Sequence, residues 1–170
     1  MREDLSPRSG TRGLQIPWRI LEREAEDRGS YIVILKLPRE ASVGIGNLGF
    51  IRFPEGYYLY ISSARRNLSQ RLQRHRGILK RHFRHVDYLR AIAEFHFALP
   101  ISTEDLVECQ ILQAIRDLAG QEIPGLGSSD CSCRSHLYGM SQGPLQFAGF
   151  ISLLQYFRMD RLHPLLLTAR

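Results

Sequence analysis

The sequence predicts an α/β domain of the α+β type, a small antiparallel sheet flanked by helices, and three observations carry that expectation. "YIVILKL", Tyr31 to Leu37, is rich in β-branched residues and nearly continuous in apolar character, as in a central strand covered on both faces. "YYLYI" and "AEFHFAL" have the aromatic content of further strands. Between and after them, apolar residues recur at helical spacing, as Leu68 and Leu72 do and as Val107, Ile111, Ala114, Ile115 and Leu118 do.

Taken in order, residues 1–28 mix charge, Pro and Gly around a short helical stretch, "WRILEREAED", and form an N-terminal extension. The domain runs over residues 29–140. "GFIRF" and "YYLYI" flank the turn "PEG" as a β-hairpin. Asn67 is placed to cap the next helix, with Gln70 three residues on, and a second helical run follows through "VDYLRAI". After "AEFHFAL", Ser102 or Thr103 caps a helix that ends near Gly120. "PGLGSSDCSCRSHLYG" is a Gly/Ser/Cys-rich loop, and residues 141–170 form an apolar tail expected to be helical.

The 170 residues, 44% apolar and 24% charged, suffice for one domain with a proper core and are short for two. A net charge of +6 says little, but its distribution says more. From Gly56 through Val86 no carboxylate occurs, while Arg65, Arg66, Arg71, Arg74, Arg76, Lys80, Arg81 and Arg84 supply eight cations. A block of one sign suits a polyanion. Three cysteines, an odd number with two nearly adjacent, are no disulfide framework. With no apolar signal core and no run near the roughly 18 apolar residues of a span, the expected location is the cytoplasm, away from membranes.

On a helix beginning at Asn67, Arg71, Arg74 and His75 share a face. A guanidinium there holds two phosphate oxygens and stabilises charge on a phosphodiester under attack. Arg65, Arg66, Arg74, Lys80 and Arg81 are the candidate nucleic-acid contacts, a solvated basic face being the other reading for Arg74, Arg76 and Arg81. Tyr57 is expected to be an amphipathic packing residue. Tyr31 and Tyr60 become chemically interesting beside a cation, where a phenol serves as a general base. Glu108, on the border of an apolar helix face, needs a cationic or metal partner if it is not simply solvated.

"GSY" at Gly29 to Tyr31, "YIS" at Tyr60 to Ser62, "LSQRLQRH" with Arg71, and the helical Glu108 resemble the GIY-YIG nuclease superfamily. "GSYIVILKL", "GYYLYISSA", "HVDYL", "VEC" and "GLGSSDCSCRSHL" look more closely like an uncharacterised branch of it sometimes fused to an endonuclease III-like domain. The resemblance covers roughly residues 29–140. It implies a metal-dependent endonuclease acting on nucleic acid, DNA ahead of RNA. Tyr31 or Tyr60 would help to activate water, Arg71 would stabilise the developing charge, and Glu108 would bind Mg²⁺ or Mn²⁺. His75 would add a hydrogen bond or a proton transfer.

Two departures from the superfamily pattern stand out. Ser62 occupies the place of the motif glycine, which matters if that strand end needs positive φ. The interval from Tyr31 to Tyr60 is long, and "PREASVGIGNLGFIRFPEG" fits an inserted hairpin. Separately, Cys131, Cys133 and His136 form C-x-C-x-x-H, to which Cys109 adds a fourth ligand suited to structural zinc. The alternative there is buried cysteines that lock the loop to the helix. His82, His85 and His96 have no ligand spacing. Two other functions compete: a catalytically weak nucleic-acid-binding module, and an accessory protein of DNA repair that docks a protein partner through its apolar C-terminal tail.

Overall fold

The protein is described by a computed structural model, which covers residues 27–77, 81, 84–102, 106–128 and 131–160. The expected helix at "WRILEREAED", Lys80, His82, Thr103 and residues 161–170 lie outside that set. The architecture is mixed α+β, with a five-stranded antiparallel sheet, a two-stranded sheet and helices on both faces.

The main sheet is built on β1, Gly29–Leu37, whose apolar run makes it a central strand. Its neighbours are β4, Gly56–Ala64, and β5, Glu94–Ser102. The far side of β4 pairs with β7, Leu137–Met140, which in turn pairs with β6, Gln121–Glu122, giving the order β5-β1-β4-β7-β6. Alternation along β1 sends Tyr31, Val33 and Leu35 to one core and Ile32 and Ile34 to another. Every one of these five side chains is fully buried, so both faces are covered, as the unbroken apolar run requires.

The interval between the two tyrosine strands is an inserted hairpin. Strand β2, Ala41–Gly44, pairs with β3, Phe50–Phe53, across a 3₁₀ turn at Gly46–Leu48. The expected hairpin between "GFIRF" and "YYLYI" does not form, because β3 takes β2 as its partner and β4 takes β1. Leu37 and Gly56 stand opposite each other in the β1–β4 register, so the chain leaves the sheet and returns to it at one point. Tyr58 Oη donates to Pro54 O at 2.6 Å there, and its ring meets Phe53 edge-on.

Helix α1, Leu68–Arg76, starts as the arginine-rich segment predicts, but its cap comes from elsewhere. Asn67 sits in the left-handed region, φ 56°, with no side-chain cap bond. Asp27 supplies the acceptors instead: Ser69 N–H donates to Oδ1 at 2.7 Å and the Ser69 hydroxyl donates to Oδ2 at 2.9 Å. A carboxylate at an open helix start satisfies orphan N–H groups and favours the dipole. Asp27→Ala is therefore expected to cost about 1 kcal/mol, read as a lower urea midpoint; an unchanged midpoint would show that the cap is idle.

Helix α2, His85–Arg90, lies against α1. Buried Asp87 accepts from Arg84 N–H at 2.9 Å and from Arg74 Nη2 at 3.1 Å. Arg90 donates to His75 O, Arg76 O and Ala93 O, each at 2.8 Å, closing the carbonyl end of α1. On the other face, helix α3, Glu108–Arg116, buries Ile111, Leu112 and Ile115 against Ile32, Ile34, Leu59 and Ile61. It begins later than a Ser102 or Thr103 cap would place it. Strand β5 continues to pair Ser102 with Gly29, which uses Ser102 in the sheet. Helix α4, Ala148–Gln155, adds Phe150 and Leu153 to the same core, with Phe157 just beyond it. No helix among the described residues is long and apolar enough to cross a membrane.

Candidate functional site

A cleft of about 770 Å³ opens where β1 begins and β4 ends. Its walls come from four places in the chain. Tyr60, Ser62 and Ser63 belong to β4, Arg65 and Arg66 follow it, and Arg71 projects from α1. Arg84 and His85 lead into α2, Glu108 and Cys109 form the first turn of α3, and Gly127, Cys131 and His136 lie in the loop before β7. Four guanidinium groups thus surround one carboxylate, Glu108 being the sole acidic wall residue among those described.

Glu108 is held in place by the strands. Ser30, fully buried in β1, accepts the Val107 N–H at 3.0 Å and bonds the Ser63 hydroxyl at 2.9 Å, which fixes the start of α3 on the sheet. His136 Nδ1 donates to Glu108 Oε1 at 2.8 Å. Burial alone pushes the Glu108 carboxyl up, but hydrogen bonds from His136 and Ser63 and the nearby charge of Arg84 outweigh it and hold the carboxyl below its ordinary value. For His136, burial acts downward and is outweighed by the bonds to Glu108 and Cys131, leaving the imidazole above its ordinary value.

The two tyrosines occupy different depths. Tyr60 lines the cleft, whereas Tyr31 is 0% exposed and stands behind it. Tyr31 Oη lies 3.2 Å from His75 Nε2, and the His75 ring centroid is 5.6 Å from both tyrosine rings. Burial depresses His75 to about 4, with Arg74 adding to the effect, so this imidazole is neutral at neutral pH. The Tyr60 phenol is pushed up by burial and then by Tyr31, opposed by hydrogen bonds from Ser62 and Arg84. It therefore keeps its proton at neutral pH.

The basic block divides by what each residue faces. Arg65, Arg66 and Arg71 reach the cleft, Arg81 is exposed, and Lys80 is outside the described residues. Arg74, grouped with Arg71 and His75 by helical spacing, turns away to pair with Asp87, and His75 turns inward to Tyr31. Two cleft residues carried no distinguishing signal in the sequence. Arg84 bonds the Tyr60 hydroxyl, and His85, which has no ligand spacing, is on the wall. Ser62 lies in ordinary extended backbone, since Asn67 is the sole non-glycine residue with positive φ among those described. No positive φ is demanded at the place of the motif glycine. A glycine is needed at Gly127, where φ is +84° and a Cβ would lie 3.1 Å from His136 and 3.3 Å from Tyr60.

Behind Glu108 the three cysteines converge. Cys133 Sγ is 3.2 Å from Cys109 Sγ, Cys131 Sγ is 3.0 Å from His136 Nε2, and the three sulfurs lie within 4.8 Å of one another. All three thiols are free. Burial, then the neighbouring thiols, push Cys133 up to about 12.

Fold and site together define an α+β domain with a cationic cleft at one end of its sheet. A family model described as "Domain of unknown function DUF123" matches residues 30–157, and the chain belongs to that family. No curated protein and no solved structure matches the chain.

Proposed function

We propose that this protein is a metal-dependent endonuclease that hydrolyses phosphodiester bonds in nucleic acid, DNA ahead of RNA. The observation that carries the reading is the cleft, in which Arg65, Arg66, Arg71 and Arg84 surround the single carboxylate of Glu108 beside the Tyr60 phenol. The resemblance of its motifs to GIY-YIG nucleases supports the same reading.

The donor set fits Mg²⁺. One carboxylate on an open, water-accessible wall suits a cation that keeps several waters and takes substrate oxygens as further ligands. Glu108 would hold it. Such an ion polarises the phosphoryl group and lowers the pKa of bound water. Arg71, from α1, and Arg84, at the start of α2, bind the phosphate oxygens and stabilise the charge that grows on them. Tyr60, protonated and bonded by Ser62 and Arg84, hydrogen-bonds and orients the attacking water. Tyr31 and His75 are positioning residues that brace Tyr60 from behind. Arg65 and Arg66 track the flanking backbone.

The test is a labelled panel of single-stranded, duplex, flap and branched DNA and RNA, incubated with Mg²⁺, Mn²⁺ or EDTA. Cleavage of at least one substrate that needs the divalent ion and stops in EDTA is the expected result. Binding of every class with no cutting under any condition would overturn the enzyme in favour of a nucleic-acid-binding module.

A further inference from the structure

We infer that Cys109, Cys131, Cys133 and His136 hold a structural Zn²⁺ whose histidine ligand orients Glu108. The first part needs nothing from the nuclease reading; the second rests on it only for the role given to Glu108.

The ligand set is three thiols and an imidazole. They come from the first turn of α3 and the loop ahead of β7, so one ion would tie the helix that carries Glu108 to the loop that closes the cleft. All three sulfurs lie within 4.8 Å of one another, and His136 Nε2 stands 3.0 Å from Cys131 Sγ. Zn–S bonds of about 2.3 Å give tetrahedral S···S edges of roughly 3.8 Å, so the thiols must shift to surround a central ion, and at least one sulfur must move closer to His136, which stands outside the 4.8 Å grouping of the three cysteines. Cys109 is exposed, which leaves its side chain room to move. Soft sulfur and imidazole donors select zinc over Mg²⁺ or Ca²⁺. Each thiol gives its proton to solvent as its Zn–S bond forms, and the imidazole binds neutral through the Nε2 lone pair.

The loop is already built to present these groups. His136 N–H donates to Leu126 O at 2.8 Å and His136 O accepts from Ile61 N–H at 3.0 Å, which continues the β4–β7 ladder. Cys133 N–H donates to Cys131 Sγ at 3.3 Å, as backbone amides do around metal-bound thiolates. The Ser135 hydroxyl donates to the carbonyl of Ile123 and accepts from Leu137 N–H at 2.9 Å.

The remaining nitrogen of His136 completes the arrangement. Nδ1 donates to Glu108 Oε1 at 2.8 Å, the carboxylate–histidine pairing that fixes tautomer and ring orientation behind a metal. Occupancy of the sulfur site therefore sets the imidazole, and the imidazole sets the carboxylate that faces the cleft.

The experiment measures metal directly on the full chain. Protein purified under reducing conditions without chelator is assayed for zinc, then exchanged with Co²⁺ and followed by absorption. About one equivalent of zinc is expected, with thiolate-to-cobalt charge transfer and the intense visible bands of tetrahedral cobalt. Cys109→Ser, at an exposed position, should lose about a third of the charge-transfer intensity, one thiolate of three. Glu108→Gln should keep the cobalt band positions but weaken zinc binding by about 10-fold to 100-fold against a chromophoric chelator. Reduced protein that takes up neither ion, cysteine variants that retain full zinc, or a Cys109–Cys133 disulfide with no metal uptake after reduction would overturn the site. Unchanged zinc affinity in Glu108→Gln would overturn the link to the carboxylate. Zinc bound without any nucleic-acid cleavage leaves the metal centre standing and removes the nuclease alone.

Discussion

Glu108→Gln is expected to lower the proposed metal-dependent cleavage by roughly 10³-fold or more, the scale on which losing a group that stabilises transition-state charge acts. Glutamine matches glutamate in shape and still accepts a hydrogen bond from His136, so the start of α3 keeps its place. What is lost is the negative charge that would hold the cation. Because Glu108 is half-buried on a first helical turn, the variant should melt cooperatively and, with both proteins saturated with zinc, close to wild type. Arg71→Ala is expected to follow with a loss of about 10²-fold to 10³-fold. Single-turnover cleavage beside circular-dichroism melting separates chemistry from folding. A Glu108→Gln protein that cuts at the wild-type rate would remove this carboxylate from the reaction.

Acidification from pH 6.5 to pH 4 costs about 3 kcal/mol of stability through His75, because burial depresses its folded value from 6.5 to about 4. Within that window the unfolded chain binds a proton that the folded chain refuses, so stability falls as the pH falls. Urea midpoints of wild type and His75→Gln, matched in metal content and taken at several pH values, isolate the difference. The variant should show the flatter profile, and parallel profiles would show that His75 is not the titrating group.

The strands were legible because their composition leaves little choice. Tyr31 to Leu37 can be satisfied only by cover on both faces, and the long interval before Tyr60 announced an insertion. Its pairing differs from the expected one because a Pro-Glu-Gly turn between two aromatic runs looks like a hairpin, although Pro54 and Gly56 mark the return of the chain to the sheet. The cap of α1 was illegible for a simple reason: Asp27 reaches Ser69 only after β1 and β4 have paired. Strand β7 was hidden because it follows a run of small residues and Gly139 interrupts its apolar pattern.

At the site, sequence picked out Arg71 and Glu108 but could not sort eight cations from one another. Topology sorts them. Asp87 claims Arg74, while Arg84 falls against Tyr60 because its backbone N–H donates to the Asp87 carboxylate at the start of α2. The pairing of His136 with Glu108 joins segments brought together only when β7 adds to β4, so no local spacing records it.

The cleft also crosses the seam between the two packed layers. Tyr60 belongs to the core under α1 and α2, while Glu108 begins the helix that covers the opposite face of the sheet. A polyanion seated there would staple the two halves of the protein to each other and would bind only the folded chain. Each hundredfold excess of ligand over its dissociation constant then adds about 2.7 kcal/mol to stability. Melting temperature becomes a readout of occupancy, and nucleic acids of different shape can be ranked on this protein with no bond being cut.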